Sequence, residues 1–477
     1  MSDEQTLDPS DWEAFRAEAH TMLDAAIAQM QTARDGAVWS PLPDDQKAAF
    51  RAPLPVQGGD INAQMQALLP HGVGNTHPRF FGWVHGSGTP SNVIADIAAA
   101  AMNANLGGRD HGAIYVEKQV VDWCREIFSF PQDSSGLLVS GTSVATLIAL
   151  KAARDRTTDF ASRAAGTPTN LVGYTSTQTH SCVARTFDIL GIGSNALRKI
   201  PVNADFQIDC DALRAAIAKD RAAGLTPFTI VGTAGAVNVG AVDDLNTLAE
   251  IAAAENLWLH IDGAFGAPGI LSDHVRPMLA GVERADSIAF DFHKWLHVTY
   301  DAGMVLLRSE DTHRRTFSER PDYLQPSERG LAAGNPWPTE YGPELSRGFR
   351  ALKVWAQLAT HGTAKLGALI TQNCMQASYL AQKVDASPDL ERLAPTPMQI
   401  CCFRYAPKGA APDTLDALND EIVMQLQEQG IAAPSTTKIN GATAIRVNIT
   451  NHRTTMADID ILVSAIQSIG ESLTKER

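Results

Sequence analysis

A turn of small residues, an acid, a lysine and a lone histidine carry the chemistry this chain can do. Ser140-Gly141-Thr142-Ser143 follows an apolar run and opens a helical pattern. A helix N-terminus offers free N–H groups and partial positive charge, so it can hold a phosphate, and Thr142 and Ser143 add hydroxyl donors. Asp262 ends the run LWLHID. An acid at the carboxyl end of a buried strand can hydrogen-bond a ring nitrogen and keep it protonated, making the ring an electron sink. Lys294, in SIAFDFHKWLHV, has apolar neighbours. Desolvation there favours the neutral amine that condenses with an aldehyde. His180, in YTSTQTHSCV, can stack on an aromatic ring or move protons, and Thr233, ending IVGT, can donate to a cofactor or substrate. Phosphate, ring nitrogen and aldehyde together describe pyridoxal phosphate.

Each residue alone has an ordinary structural use. Ser or Thr before a helix is usually an N-cap, Asp at a strand end a turn residue, and Lys a solvated surface residue. Only the combination points to one cofactor. His293 and His297 stand four apart, as metal ligands on a helix face do, but no H-E-x-x-H arrangement or third ligand accompanies them. No G-x-G-x-x-G or G-x-x-x-x-G-K-[ST] loop is present, which removes the main support for dinucleotide or P-loop nucleotide binding.

Positioning these groups takes a large domain. At 477 residues the chain exceeds one ordinary domain, and 44% hydrophobic with 19% charged residues is a globular composition. A net charge of −14 without any Lys/Arg-rich run argues against nucleic acid and anionic membranes as partners. No apolar stretch is long enough to span a bilayer, and the acidic start MSDEQTLDPSDW is unlike a signal peptide. The six cysteines lack regular spacing, as free thiols in a reducing compartment do, so a cytoplasmic location is expected.

Ser10 and Glu13 form a capping-box pattern before an amphipathic helix through Phe15, Leu23, Ile27 and Met30. Pro41, Pro43, Pro53 and Pro55 then impose an extended connection to a short helix near 62–69. From about residue 90, apolar runs at 137–140, 171–174, 228–233, 257–262, 287–290 and 303–307 alternate with helical patterns at 144–154, 209–222 and 245–255. That alternation predicts an α/β domain with a mostly parallel, buried sheet. A helical stretch at 344–361 leads to a smaller α+β lobe, with strands at 399–405 and 443–449 and helices at 415–429 and 455–472. The expected division is an N-terminal helical segment 1–89, a large domain 90–360 and a small C-terminal domain 361–477.

The stretches THPRFFGW, SGTSVATLIALKAAR, TQTHSCV, VGTAGAVNVGAVDDL, LWLHIDGAFG, DFHKWLHV and LSRGFRALKVW span nearly the whole chain. Through them it resembles the group II pyridoxal-phosphate-dependent decarboxylases, the family of aromatic-L-amino-acid, histidine and glutamate decarboxylases. The resemblance implies the fold type I (PLP-dependent transferase) architecture, with a mostly parallel seven-stranded sheet and a small C-terminal domain. It also implies an N-terminal segment clasping the partner of a homodimer, with active sites near the subunit interface. By position, it implies that Lys294 carries the internal aldimine and Asp262 pairs with the pyridine nitrogen. His180 would stack on the ring with Ala264 beneath its other face, Thr142 and Ser143 would hold the phosphate, and His293 and Thr233 would line the site.

Tyr323, in ERPDYLQP, falls where aromatic decarboxylases carry a mobile-loop Tyr implicated in protonating the carbanionic intermediate, and where related aldehyde synthases carry Phe. Tyr341 is a competing candidate for a loop role. Two departures stand out. Asp291 occupies a position where some animal members have Asn close to the phosphate, and because a carboxylate repels phosphate it is left unassigned. The segments that line an apolar pocket in aromatic decarboxylases read here Trp83-Val84-His85-Gly86 and Asn105-Leu106-Gly107-Gly108-Arg109-Asp110. Trp83 keeps an aromatic wall, while His85, Asn105 and Arg109 make the substrate pocket polar. Arg109 can pair with an acidic substrate or with a structural acid such as Asp110.

The expected activity is decarboxylation of an L-amino acid, aromatic or polar, to the amine and carbon dioxide. Alternatives on the same cofactor are an aminotransferase, a carbon–carbon lyase or an aldehyde synthase. From another class comes a catalytically idle homologue that binds cofactor or a protein partner, against which the retained Lys294, Asp262, His180 and Tyr323 argue.

Overall fold

The computed structural model describes residues 5–319 and 327–475. Seven strands form the central sheet: β1 (Ser135–Val139), β2 (Leu171–Ser176), β3 (Leu197–Ile200), β4 (Thr226–Thr233), β5 (Trp258–Asp262), β6 (Ser287–Asp291) and β7 (Gly303–Leu307). Their order is β1-β7-β6-β5-β4-β2-β3. The run from β6 to β3 is parallel, and β7 lies antiparallel to both β6 and β1. Both faces are buried. Leu137, Val139, Val231 and Val305 enter one core, while Leu138, Ile230, Leu259, Ile288 and Leu306 enter the other. Two-sided burial is why these strands read as continuous apolar runs rather than alternating ones.

The helix Thr142–Thr157 crosses one face of the sheet and buries Ala145, Ile148, Ala149 and Ala152 against β5, β6 and β7. Small side chains on that stripe let the helix axis lie close to the strands. The smaller sheet contains β8 (Leu390–Arg392), β9 (Ile400–Tyr405), β10 (Ser435–Ile439) and β11 (Ala442–Asn448) in the antiparallel order β10-β11-β9-β8. It shares a core with helices Pro412–Glu428 and Met456–Lys475. The 37-residue helix Arg350–Ala386 reaches both sheets, and the expected 360/361 division falls within it, beside Gly362 at φ 70°.

Several elements differ from the reading of the sequence. β3, β8 and β10 carry too few apolar residues to stand out, and β10 (STTKI) is a polar edge strand. The first helix, Trp12–Gln31, is capped by Asp11 rather than Ser10, whose place its carboxylate takes by accepting the N–H groups of Glu13 and Ala14. None of that helix's residues is buried. Among the described residues no helix is long and apolar enough to cross a membrane.

Candidate active site

Adjacent strands β4, β5 and β6 end in Thr233, Asp262 and Asp291, and all three line one cavity of about 580 Å³. Carboxyl ends of parallel strands are where this architecture leaves room for a ligand. The turn Ser140–Ser143, Val144, His180, Ala264, His293, Lys294 and Trp83 line the same cavity. Gly141, in extended conformation, precedes the helix Thr142–Thr157 and has no side chain with which to cap it, and the helix start faces the cavity. Thr142 Oγ1 and Thr233 Oγ1 are buried with no hydrogen-bond partner among the described residues. A helix N-terminus facing the cavity and these orphaned hydroxyls fit the phosphate and ring of pyridoxal phosphate.

Asp262 is buried, and burial pushes its carboxyl group above the usual range despite the nearby Lys294 and His180. Its Oδ1 accepts the Ala264 N–H at 3.2 Å, and Cys182 Sγ lies 3.9 Å from Oδ2. A buried acid of this kind gains by sharing a proton with a basic ring nitrogen. His180 caps the helix Ser181–Ile189, its Nδ1 accepting the Cys182 N–H at 3.2 Å, which leaves Nε2 as the ring atom able to hold a proton.

Lys294 follows β6 on a turn, with its side chain 22% exposed. The apolar desolvation expected from its sequence neighbours is replaced by an ion pair: Lys294 Nζ lies 2.8 Å from Asp291 Oδ2. Asp291 Oδ1 accepts the Thr142 N–H at 2.7 Å. Asp291 therefore stands at the phosphate turn, although charge repulsion left it unassigned. The cue for it was available, since it ends β6 as Asp262 ends β5. His293 Nδ1 is held between Ala302 O (3.0 Å) and Ala302 N (3.1 Å), and burial pulls its ring toward the neutral form.

The outer wall joins three parts of the chain. Trp83 adopts φ 46°, a left-handed conformation rare for a bulky residue. Arg446 Nη1 donates to Trp83 O at 2.8 Å, and its remaining nitrogens bond Val237 O and Asn238 O. Gly86 is required where this wall meets the lysine turn: a Cβ there would fall 2.4 Å from the carbonyl oxygens of both His293 and Lys294. Tyr300, another lining residue, stacks on His293 with ring centroids 4.4 Å apart. Ser435, Thr436, Thr437 and Asn238 form a hydroxyl- and amide-rich side. Tyr300, Arg446 and these polar residues were not anticipated, because no local pattern announces groups brought in from distant loops.

Three of the four proposed pocket residues lie elsewhere than in the lining. His85 sits just behind it, its ring 5.8 Å from Tyr300, and burial with the Lys294 charge pulls it toward the neutral form. Asn105 Oδ1 accepts the N–H groups of Gly107 and Arg347, a structural role. Arg109 lies over the Trp337 ring at 4.6 Å, while Asp110 accepts from Tyr115. Cation–π packing on Trp337 is thus the contact Arg109 makes among the described residues. His297 bonds Ser87 Oγ, away from His293's contacts, and Tyr341 is held by Glu310 beneath the sheet edge. Tyr323 lies outside the described residues.

Residues 43–406 match the model of the pyridoxal-dependent decarboxylase conserved domain. An aromatic-L-amino-acid decarboxylase from Bacillus atrophaeus is 36% identical over 403 residues, covering 83% of this chain and 82% of the relative. An L-2,4-diaminobutyrate decarboxylase from Rhizobium meliloti (strain 1021) is 30% identical over 426 residues, covering 88% and 83%. The fold is also that of Oryza sativa TDC, solved with PLP and tryptamine: TM-score 0.89 at 24% identity, over 98% of this chain and 100% of that one. The chain therefore belongs to the pyridoxal-dependent decarboxylases, carboxy-lyases that act on amino acids with pyridoxal phosphate as cofactor.

Proposed function

We propose that this chain decarboxylates an aromatic L-amino acid bearing a hydrogen-bonding group on its ring, releasing the amine and carbon dioxide. The observation that carries this reading is the meeting of Lys294, Asp262 and the Thr142 turn in one cavity. Pyridoxal phosphate, when bound, supplies the aldehyde that Lys294 condenses with and a protonated ring that accepts the electrons left by the carboxylate. Thr142 and Ser143 bind the phosphate, Asp262 holds the ring proton, and His180 covers the ring opposite Ala264. Thr233 and His293 line the site. The assignment of Cα protonation to Tyr323 rests on the sequence resemblance alone.

The substrate class is supported by what the cavity contains. Trp83, Val84 and Tyr300 offer an aromatic and apolar wall, faced by Ser435, Thr436, Thr437 and Asn238. Among the described residues its only carboxylates are Asp262 and Asp291, both engaged on the cofactor side, and Arg446 adds a buried cation. Among the described residues of this lining, a second ammonium group, as in diaminobutyrate, would find no further acid to pair with. An aromatic ring with a hydroxyl or indole N–H would find partners.

We further infer a cytoplasmic homodimer with active sites near the interface, and keep the three-part division 1–89, 90–360 and 361–477. Support for pairing comes from the exposed Trp12, Phe15 and Ile27 on a helix that buries nothing of its own. The location rests on the acidic composition and unpaired cysteines.

The test is Lys294→Ala, which should keep the fold and lose carbon dioxide release; undiminished turnover would sink the reading. Product analysis separates decarboxylation from transamination, carbon–carbon cleavage and aldehyde synthesis. Amine and carbon dioxide without keto acid, aldehyde or peroxide fit only the first. A borohydride-sensitive visible band in the holoenzyme shows a live Schiff base, and its absence in protein purified with added cofactor revives the idle-homologue reading.

A further inference from the structure

Asp291 has no part in the reaction outlined above, yet the fold makes deliberate room for it. The side chain is 3% exposed. Its Oδ1 takes the Thr142 N–H at 2.7 Å, and its Oδ2 lies 2.8 Å from Lys294 Nζ and 3.7 Å from His293 Nε2. Gly303, on β7, is what admits it: a Cβ there would fall 2.7 Å from Asp291 Oδ1 and 2.6 Å from Gly141 Cα. Glycine on both sides of the turn lets a carboxylate enter the space where the helix N-terminus opens. That carboxylate occupies the first N–H of the helix Thr142–Thr157, one of the donors a phosphate at this turn would use.

We propose that Asp291 limits how tightly this chain holds the phosphate of its cofactor, while giving Lys294 Nζ a fixed seat. The inference rests on the reading that Thr142 and Ser143 bind that phosphate. Two anionic groups on one buried turn repel each other, and the carboxylate also competes for a shared donor. Asn at 291 would keep an acceptor for the Thr142 N–H and gain an amide donor toward the phosphate, while removing the charge. The affinity for a phosphorylated ligand should then rise, and that for the same ligand without phosphate should not.

The experiment titrates the native chain, Asp291→Asn, Asp291→Ser and Asp291→Glu with pyridoxamine 5'-phosphate and with pyridoxamine, by equilibrium dialysis. Neither probe carries an aldehyde, so the readout is independent of Lys294 condensation and of turnover. Asp291→Asn is expected to bind pyridoxamine 5'-phosphate about tenfold more tightly than the native chain, with pyridoxamine unchanged. Asp291→Ser, smaller and also neutral, should gain in the same direction, so the result does not hang on one variant's folding. Asp291→Glu keeps the charge and should show no gain. Unchanged or weaker binding of the phosphorylated probe by both neutral variants overturns the proposal, and so does an equal gain for the two probes. If the native chain itself binds both probes alike, the phosphate assignment at Thr142 fails first.

Discussion

Thr233 and Asp262 are register partners at the carboxyl ends of parallel strands β4 and β5, so a free hydroxyl and a buried acid reach the cavity from one edge at one height. Asp243 secures the arrangement from below, accepting the Thr233 N–H at 2.8 Å and the Ile208 N–H at 2.7 Å. The sheet, not a loop, sets where this acid stands.

Asp262→Asn preserves shape and removes the charge that keeps a pyridine nitrogen protonated. Its kcat should fall by about a hundredfold or more, with the melting temperature little changed. Steady-state kinetics beside a thermal melt checks both, and wild-type turnover would remove Asp262 from the chemistry.

Gly86→Ala should damage the site without touching a reactive group. The added methyl must displace the carbonyls of His293 and Lys294, at a cost of about 1–3 kcal/mol. Chemical denaturation measures that cost, and borohydride trapping of cofactor on Lys294 should slow in parallel. Normal stability and trapping would show that the turn yields freely.

Trp83→Ala tests the substrate wall. Loss of aromatic contact should raise KM for an aromatic amino acid about tenfold, with a smaller effect on kcat. A fall in kcat alone would place Trp83 in the chemical step instead.

His260 and His313 give the fold a defined acid limit. Burial pushes both from 6.5 down to about 3. His260 bonds Ser287 Oγ and Thr146 Oγ1, and His313 bonds Ser135 Oγ and Tyr341 O. Above pH 6.5 both are neutral folded and unfolded, so neither affects stability. Between 6.5 and about 3 the unfolded chain binds protons that the folded one refuses, so stability falls as pH falls. Melting curves across that window should lose slope in His260→Gln, by about one proton. An unchanged slope would assign the acid limit to other groups.

Much of the cavity lining was legible because its residues end strands or open helices, where local pattern and chemistry coincide. Asp262, Thr142 and Thr233 are of this kind. The substrate wall was not, and for a physical reason. Asn105 and Arg109 looked like pocket residues from their place in the sequence, but one caps a turn and the other packs on Trp337. Asp291 was set aside because a lone carboxylate repels phosphate, and nothing in the string DFHK reveals that Lys294 turns back to pair with it. β10, which supplies Ser435 to Thr437, is too polar to be seen as a strand.

Arg446 ties the antiparallel sheet to a carbonyl 363 residues away, at Trp83, and to the loop at Val237. The outer wall of the cavity and its lysine and acid are thereby built from different regions of the chain. A substitution in the C-terminal strands can therefore reshape the outer wall of the cavity while leaving Lys294 and Asp262 as they are.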